Sequence, residues 1–152
     1  MDKYIGVKII SAEPMDRVTF NSEKGVDIPL DDANYYDAGY KVVHEDGYVS
    51  WSPKETFEKA YRKFSNDKNT ITQEDVDNFI ANIDISTVGN KTTLVVATMV
   101  NGFTITESSS CVDPANYDEG LGAEICLGKI KDKLWFLLGF ILQSGINGLN
   151  NK

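Results

Sequence analysis

The sequence predicts an α+β fold made of two small modules, and three observations lead to this prediction. Segments of alternating apolar and polar residues, rich in Val, Ile and Thr, indicate strands. Asp-Gly and Asn-Gly pairs between such segments are typical of β-hairpins. Apolar residues at helical spacing indicate helices. We therefore expect a β-hairpin and helix module over residues 1–65, an α-β-β-β-α module over residues 70–146 and a frayed tail over residues 147–152.

The first module opens with residues 3–12, whose alternating pattern predicts a strand. Residues 13–38 contain two prolines and no sustained period, so we expect a long surface loop there. The sequence GYKVVHEDGYVSW, residues 39–51, then predicts two short strands joined by a turn at Glu45-Asp46-Gly47. Together these segments predict N-terminal strands that include one hairpin.

A helix is predicted over residues 53–64. Pro53 suits the first helical position, Ser52 can cap the helix, and Glu55 stands where a capping box places a carboxylate. Apolar residues recur at positions i, i+3, i+4 and i+7, and we expect this face to pack on the N-terminal strands. These residues are Phe57, Ala60, Tyr61 and Phe64.

The second module is predicted to begin with a helix capped by Thr72. Its apolar face repeats the same spacing with Val76, Phe79, Ile80 and Ile83. Three strands are predicted after it, at residues 84–88, 92–100 and 103–109. The second of the two turns between them is Asn101-Gly102, which favours a two-residue type I′ turn. A three-stranded antiparallel meander follows from this pattern.

The longest helix is predicted to open near Asn116, with Asn116 as its cap and Glu119 three residues later. Residues 134–142 are apolar nearly all the way round, so we expect this helix to be wrapped by the meander rather than to lie at the surface. Four glycines weaken the helix by about 1 kcal/mol each relative to Ala. A close approach of helix and sheet would explain them, and they are Gly120, Gly122, Gly128 and Gly139.

Charge and composition exclude several function classes. The net charge of −8 argues against direct binding of nucleic acid, because such affinity comes from Lys and Arg neutralising phosphates. An acidic surface suits a basic protein partner, and it also serves simply to keep a protein soluble. The two cysteines, Cys111 and Cys126, fit a reducing cytosol and are not expected to form a bridge. Residues 134–142 are too short to cross a bilayer.

No familiar cofactor or metal pattern is present in the sequence. One histidine and two cysteines offer no ligand cluster at zinc spacing, and Asp31-Asp32 with Asp37 lacks the register of a calcium loop. There is also no phosphate-binding lysine loop, no nucleophile elbow and no dinucleotide fingerprint. We therefore expect no cofactor, no metal and a protein that binds rather than catalyses. We expect it to stay in the cytoplasm, since no signal peptide opens the chain.

Two segments carry a family resemblance. Residues 71–143, with NGFTITESSSCVDPANYDEGLGAEI followed by KIKDKLWFLLGFILQ, resemble small tailed-phage and prophage proteins of unassigned function. The first sixty residues, with KYIGVKIISAEPM and GYVSWSPKETFEKAYR, are similar to a phage module found ahead of other small domains. Some of those domains are related to Thoeris anti-defense proteins, which sequester nucleotide immune signals. The resemblance implies a phage accessory protein that antagonises host immunity, and it assigns no catalytic residue.

One candidate ligand site is the first elbow, the turn from strand to helix that contains Tyr48, Trp51, Ser52 and Lys54. Free amides at a helix N-terminus attract anions, Trp51 could stack on a base, and Lys54 could pair with a phosphate. The same residues also fit an ordinary helix start with Trp51 in the core.

A second candidate is the second elbow, before the long helix, with Glu107, Ser109, Cys111, Asp113 and Asn116. A thiol next to a helix N-terminus can become a nucleophile. A cysteine nucleophile normally needs a base, however, and the only histidine, His44, lies in the other module. A capped strand-to-helix turn with a buried structural thiol explains the same residues.

A third candidate is an acidic tyrosine loop suited to docking on a basic protein, with Asp31, Asp32, Tyr35, Tyr36 and Asp37. A solvated loop is the alternative. The favoured function is a phage-encoded antagonist of host immunity that traps a nucleotide signal or occupies a defence effector such as a CRISPR nuclease. The alternatives are a structural or assembly accessory of the phage particle and a thiol enzyme using Cys111. Whether the chain forms a homo-oligomer is left open.

Overall fold

The computed structural model describes residues 1–25, 34–64 and 69–150. The chain divides into two compact units: Met1–Lys63 with Gly145–Lys152, and Phe64–Ser144. Each unit contains one three-stranded sheet. With four α-helices and two antiparallel sheets in the described ranges, the fold class is α+β, as the sequence predicts.

The first unit holds a sheet of order β1-β2-β3, formed by Ser11–Pro14, Gly39–Val43 and Val49–Pro53. β2 and β3 form the predicted hairpin, with Gly39 opposite Pro53 and Val43 opposite Val49. At the turn, Gly47 has a φ of +88°, which favours glycine, and the Asp46 carboxylate accepts the Tyr48 amide at 2.9 Å.

Two short helices accompany this sheet: α1, Arg17–Glu23, and α2, Lys54–Ala60. In α1, the Asp16 side chain caps the helix by accepting the Thr19 amide at 2.7 Å. In α2, Phe57 is buried and stacks between Tyr40 and Tyr61, with ring centroids 4.1 and 5.0 Å away.

The first unit corrects three predictions. The predicted strand 3–12 is reduced to β1, and residues 1–10 have no regular secondary structure. The predicted loop 13–38 contains α1. Only Phe20 of this helix is buried, so the sequence shows no helical repeat of apolar residues. The predicted helix 53–64 begins at Lys54 and ends at Ala60, because Tyr61 is extended; Pro53 takes the cap position, so Ser52 does not cap the helix.

The second unit begins with α3, Gln73–Phe79, capped as predicted by Thr72 in a capping box with Asp75. Three antiparallel strands follow in the order β4-β5-β6, formed by Ile80–Val88, Thr92–Met99 and Thr104–Ser110. This sheet is the predicted meander.

Two details of the meander differ from the prediction. Ile80 and Ile83 belong to β4 and not to the preceding helix, because both pair with β5. The Asn101-Gly102 turn is not a two-residue type I′ turn. The Met99 amide donates to the Phe103 carbonyl at 2.7 Å, so the loop has three residues, and only Gly102 is left-handed, with a φ of +85°.

The long helix α4, Glu119–Asn147, follows a 3₁₀ turn at Pro114–Asn116. Asp118 caps α4 by accepting the Leu121 amide at 3.1 Å, so the prediction of Asn116 as the cap is wrong. Pro114 is the reason, since it opens a separate 3₁₀ turn that contains Asn116. The helix ends at Asn147, the first residue of the predicted tail.

One face of α4 packs on the odd-numbered side chains of the sheet and forms the core with them. The core residues are Val76, Val95, Ala97, Met99, Ile105, Ala123, Cys126, Ile130, Leu134 and Leu138. The meander thus covers α4 on this side, as predicted.

The other side of α4 is uncovered, which corrects the expectation of a helix wrapped all the way round. Phe136 is 79% exposed and Phe140 is 66% exposed. A flat sheet can cover only about half of a helix's circumference, so apolar residues on the remaining surface need a different cover. The exposed apolar residues of α4 are Leu121, Ile125, Trp135, Phe136, Leu137, Phe140, Ile141 and Ile146.

The glycines of α4 also divide between the two sides. A Cβ added to Gly122 would lie 2.1 Å from the Thr93 hydroxyl, so close approach to the sheet explains this glycine. Gly128 and Gly139 have nothing within 4 Å of that position, so close approach to the sheet does not explain them.

Within the described ranges, none of the helices has both the length and the apolar character that a membrane span requires.

Candidate functional site

At the first elbow, Trp51 serves the packing of the first unit. Its indole N–H donates to the Met15 carbonyl at 2.7 Å. Its ring lies against Gly39, where an added Cβ would be 2.4 Å from the ring. The indole N–H is therefore used within the first unit, and Gly39 lets the chain pack closely against the ring. Base binding by Trp51 stays a prediction.

The other residues of the first elbow lie at the end of the hairpin, in β3 and at the start of α2. The Lys54 amide, the first of α2, donates to the Ala38 carbonyl at 3.0 Å. The Ser52 hydroxyl donates to the Pro53 carbonyl at a long 3.5 Å. Tyr48 is exposed at the hairpin turn, with its ring centroid 5.4 Å from that of His44. Phosphate binding by Ser52 and Lys54 stays a prediction.

The second elbow is a capped turn. The Asp113 carboxylate accepts the Ala115 amide at 2.9 Å, and the Asp113 carbonyl accepts the Asn116 amide at 3.0 Å. The Cys111 thiol donates to the Asp113 carbonyl at 3.2 Å. These contacts match the structural alternative for this segment. The Cys111 side chain is half-buried, and no described side chain serves as a base toward it.

Glu107 and Ser109 lie on the helix-facing side of β6. Glu107 is four residues before Cys111, about 13 Å along an extended strand. Its carboxylate forms an ion pair with Lys133 of α4. This contact lowers the pKa of Glu107, although partial burial opposes the shift. Among the predicted residues of this elbow, Glu107 therefore belongs to an ion pair between sheet and helix and not to the turn.

The lowered pKa of Glu107 predicts a pH dependence of stability. A carboxyl with a lowered folded-state pKa stabilises the fold above its ordinary pKa, and this contribution is lost as pH falls through the folded-state value. We expect the free energy of unfolding of wild type to fall more steeply below about pH 4 than that of Glu107→Gln. Urea unfolding at a series of pH values measures this slope. Glu124→Gln removes an exposed carboxyl group of α4 and is the control variant. Its free energy of unfolding should change with pH as that of wild type does.

A polar cluster that sequence reasoning missed joins the start of α4 to the sheet. The Tyr117 hydroxyl shares hydrogen bonds with Thr87 at 2.6 Å and with fully buried Thr93 at 2.9 Å. Thr87 also donates to Glu119. The partners lie 24 to 32 residues apart in sequence, so no local pattern could have indicated them. Each of these hydroxyl and carboxylate groups forms a hydrogen bond, so the cluster attaches the start of α4 to the sheet.

The acidic tyrosine loop is described only from residue 34 onward, and Asp31 and Asp32 lie outside the described residues. Tyr35 and Tyr36 form an edge-to-face pair with centroids 4.6 Å apart. Tyr36 is 74% exposed, and the neighbouring Asp37 is exposed as well. The Asp37 carbonyl accepts the Arg17 amide at 2.9 Å, which fixes this end of the loop. The loop thus presents an exposed aromatic ring beside a carboxylate.

Neither cysteine nor the histidine belongs to a reactive cluster within the described ranges. His44 contacts Lys8 at 3.2 Å and Ser50 at 3.4 Å within the first unit, while Cys111 belongs to the second. Burial raises the pKa of the Cys126 thiol, which keeps it protonated and unreactive. No group of metal-ligating side chains occurs in the part of the chain that the structure describes.

Comparison with known proteins gives one match. The model of the phage protein (N4 Gp49/phage Sf6 gene 66) family matches residues 71–146, which contain α3, the meander and most of α4. No curated protein and no solved structure matches the chain. The phage resemblance of the second module is thereby confirmed, while the resemblance of the first sixty residues to a Thoeris-associated module stays a prediction. Because the match spans half of the 152 residues, the chain belongs to the phage protein (N4 Gp49/phage Sf6 gene 66) family.

Proposed function

We propose that this phage-family protein antagonises the immunity of the bacterial host by binding, without catalysis, in the host cytoplasm. Of the two modes that the sequence suggests, occupation of a defence effector is the better supported. The observation that carries it is the exposed Tyr36 beside Asp37 in a chain of net charge −8. An accessible aromatic ring with adjacent carboxylates is suited to a protein partner with a basic surface.

Trapping of a nucleotide signal is less well supported, because phosphate groups need free donors or cations. At the first elbow, the Lys54 amide is already bonded to Ala38, so a phosphate there would rely on the Lys54 side chain and not on the helix N-terminus. At the second, the amides of Ala115 and Leu121 are bonded to Asp113 and Asp118. Carboxylates at this position repel a phosphate. We therefore expect cyclic nucleotides and ADP-ribose derivatives to leave the melting temperature unchanged, whereas a clear rise would favour the trapping mode.

The test is protection of an infecting phage in host strains that carry single defence systems. Wild-type protein should raise the plaque count in at least one such strain, and its complex with the responsible effector should weaken with added salt. Tyr36→Ala and Asp37→Lys should weaken that complex by about tenfold or more if this loop carries the contact. Affinity of the purified proteins at two salt concentrations measures both effects.

Tyr48→Ala is the matched control, since Tyr48 is also an exposed tyrosine of the first unit but lies outside the loop. It should bind and protect like wild type, and so should Cys111→Ala. Loss of protection in Cys111→Ala alone would instead favour the thiol enzyme. Protein that protects in no strain and is present in purified virions would favour an assembly accessory.

A further inference from the structure

An apolar groove in the second unit lies between β6 and α4. It has a volume of about 540 Å³ and is open to solvent. The residues that line it include Phe103, Ile105, Thr106, Lys133, Phe136 and Leu137. Phe136 forms part of the groove wall and protrudes from α4 with 79% of its surface exposed, and Phe103 and Phe140 are 56% and 66% exposed.

The exposed apolar area of this region is large enough to mark a binding surface. A complete aromatic side chain presents about 200 Å², so the three phenylalanines alone expose about 400 Å². Leu137 and Ile141, which are also exposed, extend this area. The largest apolar patch of an ordinary monomer is about 300–600 Å² and is commonly functional. A stable protein interface buries about 800 Å² per partner, so this apolar patch would form the centre of such an interface.

The charges around the groove distinguish it from the remainder of this acidic protein. The charged residues that line its rim are one cation and one carboxylate, Lys133 and Asp132. Lys133 pairs with Glu107, and Lys129 donates to the Ser108 carbonyl at 3.2 Å. The rim is therefore neutral, although the whole chain has a charge of −8. A basic partner finds no excess negative charge here, and a second acidic copy meets no net repulsion.

The surface also contains both halves of a self-complementary contact. Phe136 is an exposed aromatic ring on one wall of the groove, and the groove below it exposes mostly apolar surface and is open to solvent. In a two-fold symmetric dimer the same patch meets itself, so each protruding side chain can enter the recess of the other copy. We propose that two copies of this chain associate through the groove between β6 and α4, with Phe136 of each copy seated in the groove of the other.

The mass of the full-length chain in solution tests this proposal. Sedimentation or light scattering of wild type at micromolar concentration should give twice the 16.9 kDa of one chain. Phe136→Glu places a charge in the proposed contact and should weaken self-association by about 100-fold or more, giving a monomer with unchanged circular dichroism. Phe140→Glu provides a second variant if Phe136→Glu fails to fold, and it should also be monomeric.

Val112→Glu is the control, because Val112 is an exposed apolar residue of the same unit outside the groove. It should remain dimeric. The apolar dimer should also survive added salt, in contrast to the salt-sensitive complex with a host effector, so the two proposals fail independently. A monomeric wild type, or a dimer that persists in both Phe136→Glu and Phe140→Glu, would overturn the assignment.

Discussion

Replacing Leu134 with alanine is expected to lower the free energy of unfolding of the second unit by about 3 kcal/mol, within the range of 2–5 kcal/mol for such truncations. Leu134 is completely buried in the contact between α4 and the sheet, in the same cluster as Met99 and Ile130. The substitution removes apolar contacts and leaves a cavity between two regular elements that cannot easily close it.

Urea unfolding at one protein concentration measures this loss. In a Trp51→Phe background, Trp135 of α4 is the only tryptophan and reports on the second unit. Leu121→Ala makes the same chemical change on the same helix at a residue that is 56% exposed, and it should lower the free energy of unfolding by less than about 1 kcal/mol. Equal losses for the two variants would mean that α4 does not bury Leu134 against the sheet.

The sequence predicted the meander and the start of α3 because local patterns determine both. Alternation along Thr92–Met99 places every second residue in the core, and a glycine with a positive φ marks each turn. Thr72 and Asp75 form their capping box within four residues. Such features need no knowledge of distant parts of the chain.

The expectation that α4 is wrapped all the way round was wrong for a physical reason. Phe136 and Phe140 are apolar, and hydrophobicity indicates only that a side chain gains by leaving water. It does not indicate whether the cover comes from the chain's own sheet or from another molecule. For α4 the three-stranded sheet covers one side, and the exposed side is where we place a second copy. The prediction missed α1 for a different reason. Only Phe20 of this helix is buried, so its sequence has no periodic apolar pattern.

The candidate sites were harder to predict than the fold because the same residues serve capping and binding. Asp113 caps the 3₁₀ turn before α4 and Trp51 lies in β3, and the polar atoms of both are used within the chain. The contacts of Thr87, Tyr117 and Thr93 depend on how the helix meets the sheet, which becomes known only when the tertiary structure is known.

Replacing Gly122 with alanine is expected to lower the free energy of unfolding by about 2–3 kcal/mol, at the upper end for overpacking. The added methyl group would lie 2.1 Å from the Thr93 hydroxyl oxygen and 2.7 Å from the Thr93 Cβ. Thr93 is fully buried and hydrogen-bonded to Tyr117 at 2.9 Å, so it cannot turn aside without losing that bond. The start of α4 must therefore move away from β5.

The comparison with Gly128→Ala separates this clash from helix propensity. Both substitutions improve the intrinsic propensity of α4 by about 1 kcal/mol, but nothing lies within 4 Å of a Cβ at position 128. Gly128→Ala should therefore raise the free energy of unfolding by about 0.5–1 kcal/mol, while Gly122→Ala lowers it.

Adding Thr93→Ala to Gly122→Ala removes the hydroxyl that the new methyl group strikes. The double variant should lose less than the sum of its single changes, because the two positions are in contact. Strict additivity, or stabilisation by Gly122→Ala, would show that the helix does not approach the strand at this glycine.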